Sequence, residues 1–202
     1  MSNTNPYTHF QGENVSRAER VERHVVEVIL ESCSKIPDES RVWGKVFELK
    51  HSSSVAQFGR VLAEKRGLRP EIGAIVCVMH DIAVNVSGDA KDHAHKGAVI
   101  AEEYLRSINK FSGEEIKIIV EAIYEHSDKH VVSTNPYAEL VKDADVLDCS
   151  TYEGTHDAYA YEKTLEACRK YFERVQAVRQ EMGLPHDPQW NSIELINKSY
   201  AK

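Results

Sequence analysis

Apolar residues recur at helical spacing along most of the chain. Ser16-Arg17-Ala18-Glu19 has the form of a capping box, and Val21, Val25, Val28 and Ile29 follow on one face. That predicts a helix stopping before Pro37. A second segment begins near Asp38-Glu39-Ser40 and carries Val42, Trp43, Val46, Phe47 and Leu49. A third is predicted over residues 52–65, with Val55, Phe58, Val61 and Leu62 on one face and Gly67 as its C-cap. Pro70 suits a first turn, and Ile72, Ile75, Val76 and Met79 extend that helix to about Ile82. Residues 74–79 also read as a buried strand, but the length of the whole pattern favours helix. Residues 84–92 read as a loop. Further helices are predicted over 93–108, 113–126 (Ser112 and Glu115 forming its capping box) and 136–149. One long charged helix is predicted over 155–182, with Tyr161, Leu165, Cys168, Phe172 and Val175 as its apolar stripe, and a last one over 191–201.

The pattern therefore predicts an all-α, single-domain helical bundle with extra terminal helices. Residues 1–13 are expected to be a flexible start, 14–150 the core, and 151–202 C-terminal helices packed on it. The stripe over 155–182 fits burial on the same chain or, in a homodimer, on a second copy. The 202 residues, 42% of them hydrophobic, suffice for a sizeable core. Lys+Arg number 25 against 32 Asp+Glu, a formal charge of -7. That argues against broad binding to duplex nucleic acid or to an anionic membrane, while leaving room for a local basic pocket. No run approaches the roughly 20 apolar residues of a membrane span. Residues 1–13 carry no apolar signal core, so a cytoplasmic protein is expected. Cys33, Cys77, Cys149 and Cys168 form no C-x-x-C pair and read as small buried hydrophobes.

Histidine changes the picture. The chain has 10, several beside aspartate. His51, the His80-Asp81 pair, His93, His126 and Asp143-Ala144-Asp145 each fall near an end of, or within, a different predicted helix. Imidazole and carboxylate together suit Mn, Fe, Co, Ni or Zn, with Mg possible where oxygens and water dominate. The apolar run before His80-Asp81 implies burial, and a buried Asp is costly unless paired or metal-bound. His9, His24, His156 and His186 read as surface or loop residues, and Tyr124, Tyr137 and Tyr152 as packing.

These residues resemble the HD-domain superfamily of metal-dependent phosphohydrolases, whose pattern is His…His-Asp…Asp on a helical bundle. The first His lies in Lys50-His51-Ser52, the doublet in Met79-His80-Asp81-Ile82, and the last Asp in Asp143-Ala144-Asp145. The resemblance covers roughly residues 51–148 and implies His51, His80, Asp81 and Asp145 as metal ligands, with Asp143 outside the set. A two-metal subset adds two histidines. Here His93, in His93-Ala94-His95-Lys96-Gly97-Ala98, and His126, in Ile123-Tyr124-Glu125-His126-Ser127, match them. His126 is followed by Ser127 where many members of the subset carry a second His. Gly97 shares the face of His93 and is expected to let a neighbouring helix approach closely.

The resemblance implies one or two divalent ions, a metal-activated water, and a small phosphorylated substrate such as a nucleotide. Asp81, bridging two metals, and Lys129 are then the catalytic candidates. Lys129, Lys96 and Arg60 are the candidate substrate-binding cations. Pocket shape is expected to come from residues 84–92, 129–136 and the C-terminal helices. His130 is a candidate for the pocket edge. Two alternatives remain at this point: an HD-type diiron oxygenase, and a non-catalytic metal- or nucleotide-binding regulatory module.

Overall fold

The computed structural model describes residues 15–190. The flexible start expected over 1–13, with His9, and the helix expected over 191–201 lie outside the described residues. Among the described residues every regular element is helical. Helix α1 (Arg17–Lys35) opens on the expected capping box: Ser16 Oγ accepts from the Glu19 amide, and the Glu19 carboxylate accepts from the Ser16 amide. Its stripe of Ala18, Val21, Val25 and Ile29 is buried.

A short 3-10 turn, Asp38–Ser40, leads to α2 (Lys45–Lys65). The sequence pattern divides this stretch near residue 50; the chain runs it as one helix. The serine run at Ser52-Ser53-Ser54 does not cap a new start: α2 continues through it, and Ser54 Oγ turns back to within 2.8 Å of the Lys50 carbonyl oxygen.

Helix α3 (Pro70–Met79) is followed by a turn at His80-Asp81 and a short α4 (Ile82–Ser87). The loop expected from 84 starts only at Gly88, which takes the left-handed φ of 71°. Asn85 is buried and Ser87 Oγ donates to the Ala83 carbonyl, so both loop-like residues are accommodated in helix. Pro70–Ser87 has the length and composition of a membrane span, but 78% of it is buried inside the bundle, where it forms the central layer. Apolar residues all round a helix mark that position in a core.

Helices α5 (His93–Ser107), α6 (Gly113–Glu125) and α7 (Pro136–Cys149) surround it, close to their expected bounds. The long helix expected over 155–182 is two: α8 (Thr155–Glu162) and α9 (Leu165–Glu181). Lys163 is extended, and Thr164 Oγ1 accepts from the Ala167 amide to cap α9. The break changes the facing of the stripe. Cys168, Phe172 and Val175 stay buried, joined by Tyr171 and Val178, while Tyr161 is exposed. Arg174 of α9 and Arg66, just past α2, both grip Asp143 of α7, which ties α9 to the core of the same chain.

Two further expectations are corrected. His156 is no surface residue: its ring packs against Phe172 and Trp190. Gly97 is not the tight approach, since a Cβ there would meet only ordinary contacts at 3.5–3.6 Å. The tight approach is between α2 and α3. A Cβ on Gly59 would sit 2.5 Å from Cys77 Sγ and 2.9 Å from the Gly73 carbonyl.

Candidate metal centre

The break at His80-Asp81 is what exposes the doublet's chemistry. As adjacent residues on a continuous helix their side chains would diverge by about 100°. With α3 ending at Met79 and α4 restarting at Ile82, Asp81 Oδ2 instead lies 3.0 Å from His80 Nε2. His51, from the N-terminal half of α2, brings its Nε2 to 3.8 Å from the same oxygen. From α7, Asp145 Oδ1 stands 3.5 Å from His51 Nε2. Two residues along α7 is about 200° of helix, which is why Asp143 points away to Arg66 and Arg174 while Asp145 points inward.

The other oxygen of Asp81 faces a second pair. Oδ1 is 3.3 Å from His93 Nε2 and 3.5 Å from His126 Nε2. His93 opens α5 directly after Asp92, which holds a left-handed φ of 56°. His126 caps the C-terminus of α6. The six sequence-predicted ligands thus converge from α2, the α3–α4 turn, α5, α6 and α7. They form two groups sharing one carboxylate: His51, His80 and Asp81 with Asp145 alongside, and Asp81, His93 and His126.

The hydrogen bonds of the imidazoles show that this donor set fits divalent cations. Nδ1 of His80, His93 and His126 each bonds a carbonyl three residues back: Cys77 at 2.6 Å, Ala90 at 2.9 Å and Ile123 at 2.7 Å. His51 Nδ1 bonds Asp148 Oδ2 at 2.6 Å, and Ser54 Oγ donates to the other Asp148 oxygen at 2.5 Å. Commitment of one ring nitrogen as N–H fixes the tautomer and directs the other's lone pair at the centre. His80 Nε2 is buried and has no hydrogen-bond partner among the described residues. His93 Nε2 and His126 Nε2 are 3.1 Å apart, a separation at which two lone pairs repel unless a proton or metal cation lies between them.

Electrostatics follow from burial and neighbours. Burial opposes ionisation of Asp81, but His80 and His126 hold it well below the usual carboxylate range. Burial also opposes charge on Asp145, yet Lys129, His80 and His51 depress it. Burial would lower His80, but Asp81 and Asp145 outweigh it and raise the ring to about 9. Burial pushes His126 down to about 4, against the pull of Asp81. Lys129 is only 6% exposed and sits 2.5 Å from Asp145 Oδ2. Burial works against its charge, and Asp145 and Tyr171 more than restore it, raising it above an ordinary lysine.

A cavity of about 340 Å³ opens over His51, Asp81, His93 and Asp145. Trp43 and Phe47 wall one side, and Tyr159, Lys163 and Tyr171 from α8, α9 and the break between them roof it. Lys129 lines it, as expected. Arg60 and Lys96 do not. Arg60 pairs with Glu22 of α1, and the exposed Lys96 ammonium donates to the Lys91 carbonyl at 2.6 Å. The segments 84–92 and 130–136 are absent from the lining, and His130 is exposed to solvent. The sequence reading missed Phe47, Asp148 and Cys149, although Phe47 precedes His51 by one helical turn and Cys149 follows Asp145 by one. Phe47 stacks on His51 with ring centroids 5.0 Å apart. Tyr124, Tyr137 and Tyr152 are outside the lining, and Tyr137 is buried with its hydroxyl accepting from the Arg69 amide.

Residues 49–149 match the HD domain family. The chain belongs to the HD-domain family. HD domains bind divalent metals and characterise a superfamily of metal-dependent phosphohydrolases. Over 154 residues the chain is 27% identical to Ribonuclease Y of Petrotoga mobilis, an alignment covering 76% of this chain and 25% of that protein. The HD protein described here therefore spans about a quarter of the length of the curated relative it matches. No solved structure matches it.

Proposed function

We propose that this HD protein hydrolyses a small phosphate ester, a nucleotide being the substrate class its cavity suits. The observation that carries the reading is the division of Asp81: Oδ2 faces His80 and His51, and Oδ1 faces His93 and His126. One carboxylate between two imidazole sets is the arrangement for a pair of ions. His51, His80, Asp81 and Asp145 would hold one divalent cation, and Asp81, His93 and His126 a second. Such cations supply an acidified water and neutralise phosphoryl charge.

The remaining residues act on the substrate. Lys129 offers a buried ammonium in the cavity lining, next to Asp145, as a partner for a phosphoryl oxygen. Phe47, Trp43, Tyr159 and Tyr171 give the cavity an aromatic lining that excludes water and suits a nucleobase. Lys163 lies over the Tyr171 ring at 4.4 Å, adding a second cation at the roof. The volume lies in the range of small-ligand pockets. The Petrotoga relative is named a ribonuclease, which favours a second reading, phosphodiester cleavage in RNA. The roof over the cavity supports the smaller ester.

The test is phosphate release from a panel of nucleotides, generic phosphomonoesters and phosphodiesters, with protein loaded separately with Mn, Co, Ni, Zn and Mg. Lys129→Ala should lower kcat/KM by at least about 100-fold, and Arg60→Ala and Lys96→Ala should leave it unchanged. Turnover of no panel member overturns the proposal. Internal cleavage of an RNA oligomer with no mononucleotide turnover favours the second reading.

A further inference from the structure

Cys149 is outside every residue set the HD resemblance supplies, yet it stands at the metal centre. It lies on α7 one turn after Asp145, on the same face, and lines the cavity. Its Sγ is 3.4 Å from Asp145 Oδ1, the oxygen that lies 3.5 Å from His51 Nε2. Sγ, Oδ1 and the His51 ring nitrogen all lie within 4.8 Å of one another. Donors with bonds of about 2.0–2.3 Å to one ion stand at most about 4.5 Å apart, and both separations fall inside that limit. Independently, the buried Nε2 of His80 makes no hydrogen bond among the described residues and has the Asp81 Oδ2 carboxylate oxygen beside it, at 3.0 Å, so a cation there would be met by both donors. The rings of His80 and His51 meet edge to face with centroids 5.2 Å apart.

We propose that Cys149 is a thiolate ligand of the ion held by His51, His80, Asp81 and Asp145, so that this centre selects thiophilic metals, Zn(II), Co(II) or Fe(II), over Mg(II). The inference rests on the metal-centre reading above and refines it. On binding, the Sγ–H bond breaks, its proton passes to buffer, and a sulfur lone pair forms the bond to the metal. No electrons are transferred. A soft sulfur donor shifts preference toward these metals, whereas a set of imidazole and carboxylate alone leaves Mg(II) and Mn(II) competitive.

Metal-free protein is titrated with Co(II) alone and followed by absorption. The expected result is a near-ultraviolet thiolate-to-cobalt charge-transfer band that saturates with the bound ion and is lost in Cys149→Ser. Helical circular dichroism should be unchanged. The same variant should lose at least about tenfold in Co(II) and Zn(II) affinity while Mg(II) affinity stays constant. Bound Co(II) should also protect Cys149 from alkylation by iodoacetamide. Bound cobalt with no charge-transfer band, or a band that persists in Cys149→Ser, overturns the cysteine ligand and leaves the rest of the centre standing. Failure of the folded wild-type protein to bind Co(II) overturns both. Neither readout depends on any substrate being turned over.

Discussion

Nε2 of His93 lies 3.1 Å from Nε2 of His126, while both Nδ1 atoms are bonded to backbone carbonyls. Two imidazoles held this way favour a shared cation. His126→Ala should remove about one of two metal equivalents, because the set on Oδ2 of Asp81 does not use that ring. Elemental analysis of protein dialysed against excess metal reads the stoichiometry. Equal metal content in the variant and the wild type counts against a second ion.

Metal uptake should release protons. In metal-free protein His80 is held up to about 9 by Asp81 and Asp145 against the effect of burial. At neutral pH its ring is therefore charged, and a metal must displace that proton. Apparent affinity should rise with pH up to about 9, by about tenfold per pH unit for this one proton. Calorimetry in buffers of different ionisation enthalpy measures the number. If Cys149 also ligates, Cys149→Ser should release about one proton fewer. Affinity independent of pH below 9 would contradict the assignment of His80.

Asp148 is the outer support of His51, accepting from its Nδ1 at 2.6 Å and from Ser54 Oγ. Asp148→Asn should weaken metal binding by about 10- to 100-fold while the helical content stays unchanged, the usual cost of losing a carboxylate behind a histidine ligand. Competition against a chromophoric chelator gives the constant. Unaltered affinity would show that His51 is oriented without Asp148.

Acid stability is expected to depend on a cluster far from the centre. A hydrogen bond from Arg17 holds Glu115 down to about 2, against a smaller effect of burial, with the Ser112 amide and Arg69 assisting. A carboxylate lowered on folding contributes stability that is present above its ordinary value of 4.5 and lost as pH falls toward about 2. Glu115→Gln keeps a side chain able to complete the capping box with Ser112 but loses the charge. Its melting temperature should be lower than wild type by roughly 2–4 °C at neutral pH. The difference should shrink through the acid window. A constant difference from neutral pH down to about 2 rules out the titration of Glu115 as its cause.

The ligand set was legible in the sequence through its resemblance to the HD pattern of His, His-Asp and Asp, spread over several helices. The choice of Asp145 over Asp143 comes from the resemblance, and α7, unbroken from Pro136 to Cys149, then turns the two residues in opposite directions. Capping boxes at Ser16 and Ser112 placed α1 and α6 nearly to the residue. The cavity was not legible. Phe47 and Tyr171 are apolar residues at helical spacing, indistinguishable in one dimension from core. The roof depends on an interruption at Lys163 that the charged pattern over 155–182 conceals, since Thr164 shows itself as a cap only once α9 is seen to start anew. Arg60 and Lys96 looked available because a cation's partner on another helix, or its own backbone, leaves no trace in spacing.

The contact between Gly59 and Gly73 has a reach well beyond its own neighbourhood. Helices α2 and α3 form a hairpin and cross there almost backbone to backbone. His51 precedes Gly59, and His80 follows Gly73, by about two turns, or roughly 11 Å along each axis. The crossing is thus a fulcrum with two arms of similar length, each ending in an imidazole. A single methyl group inserted at the pivot would be felt as a widened jaw at the tips, and the bite of the centre is gauged where no ligand lies.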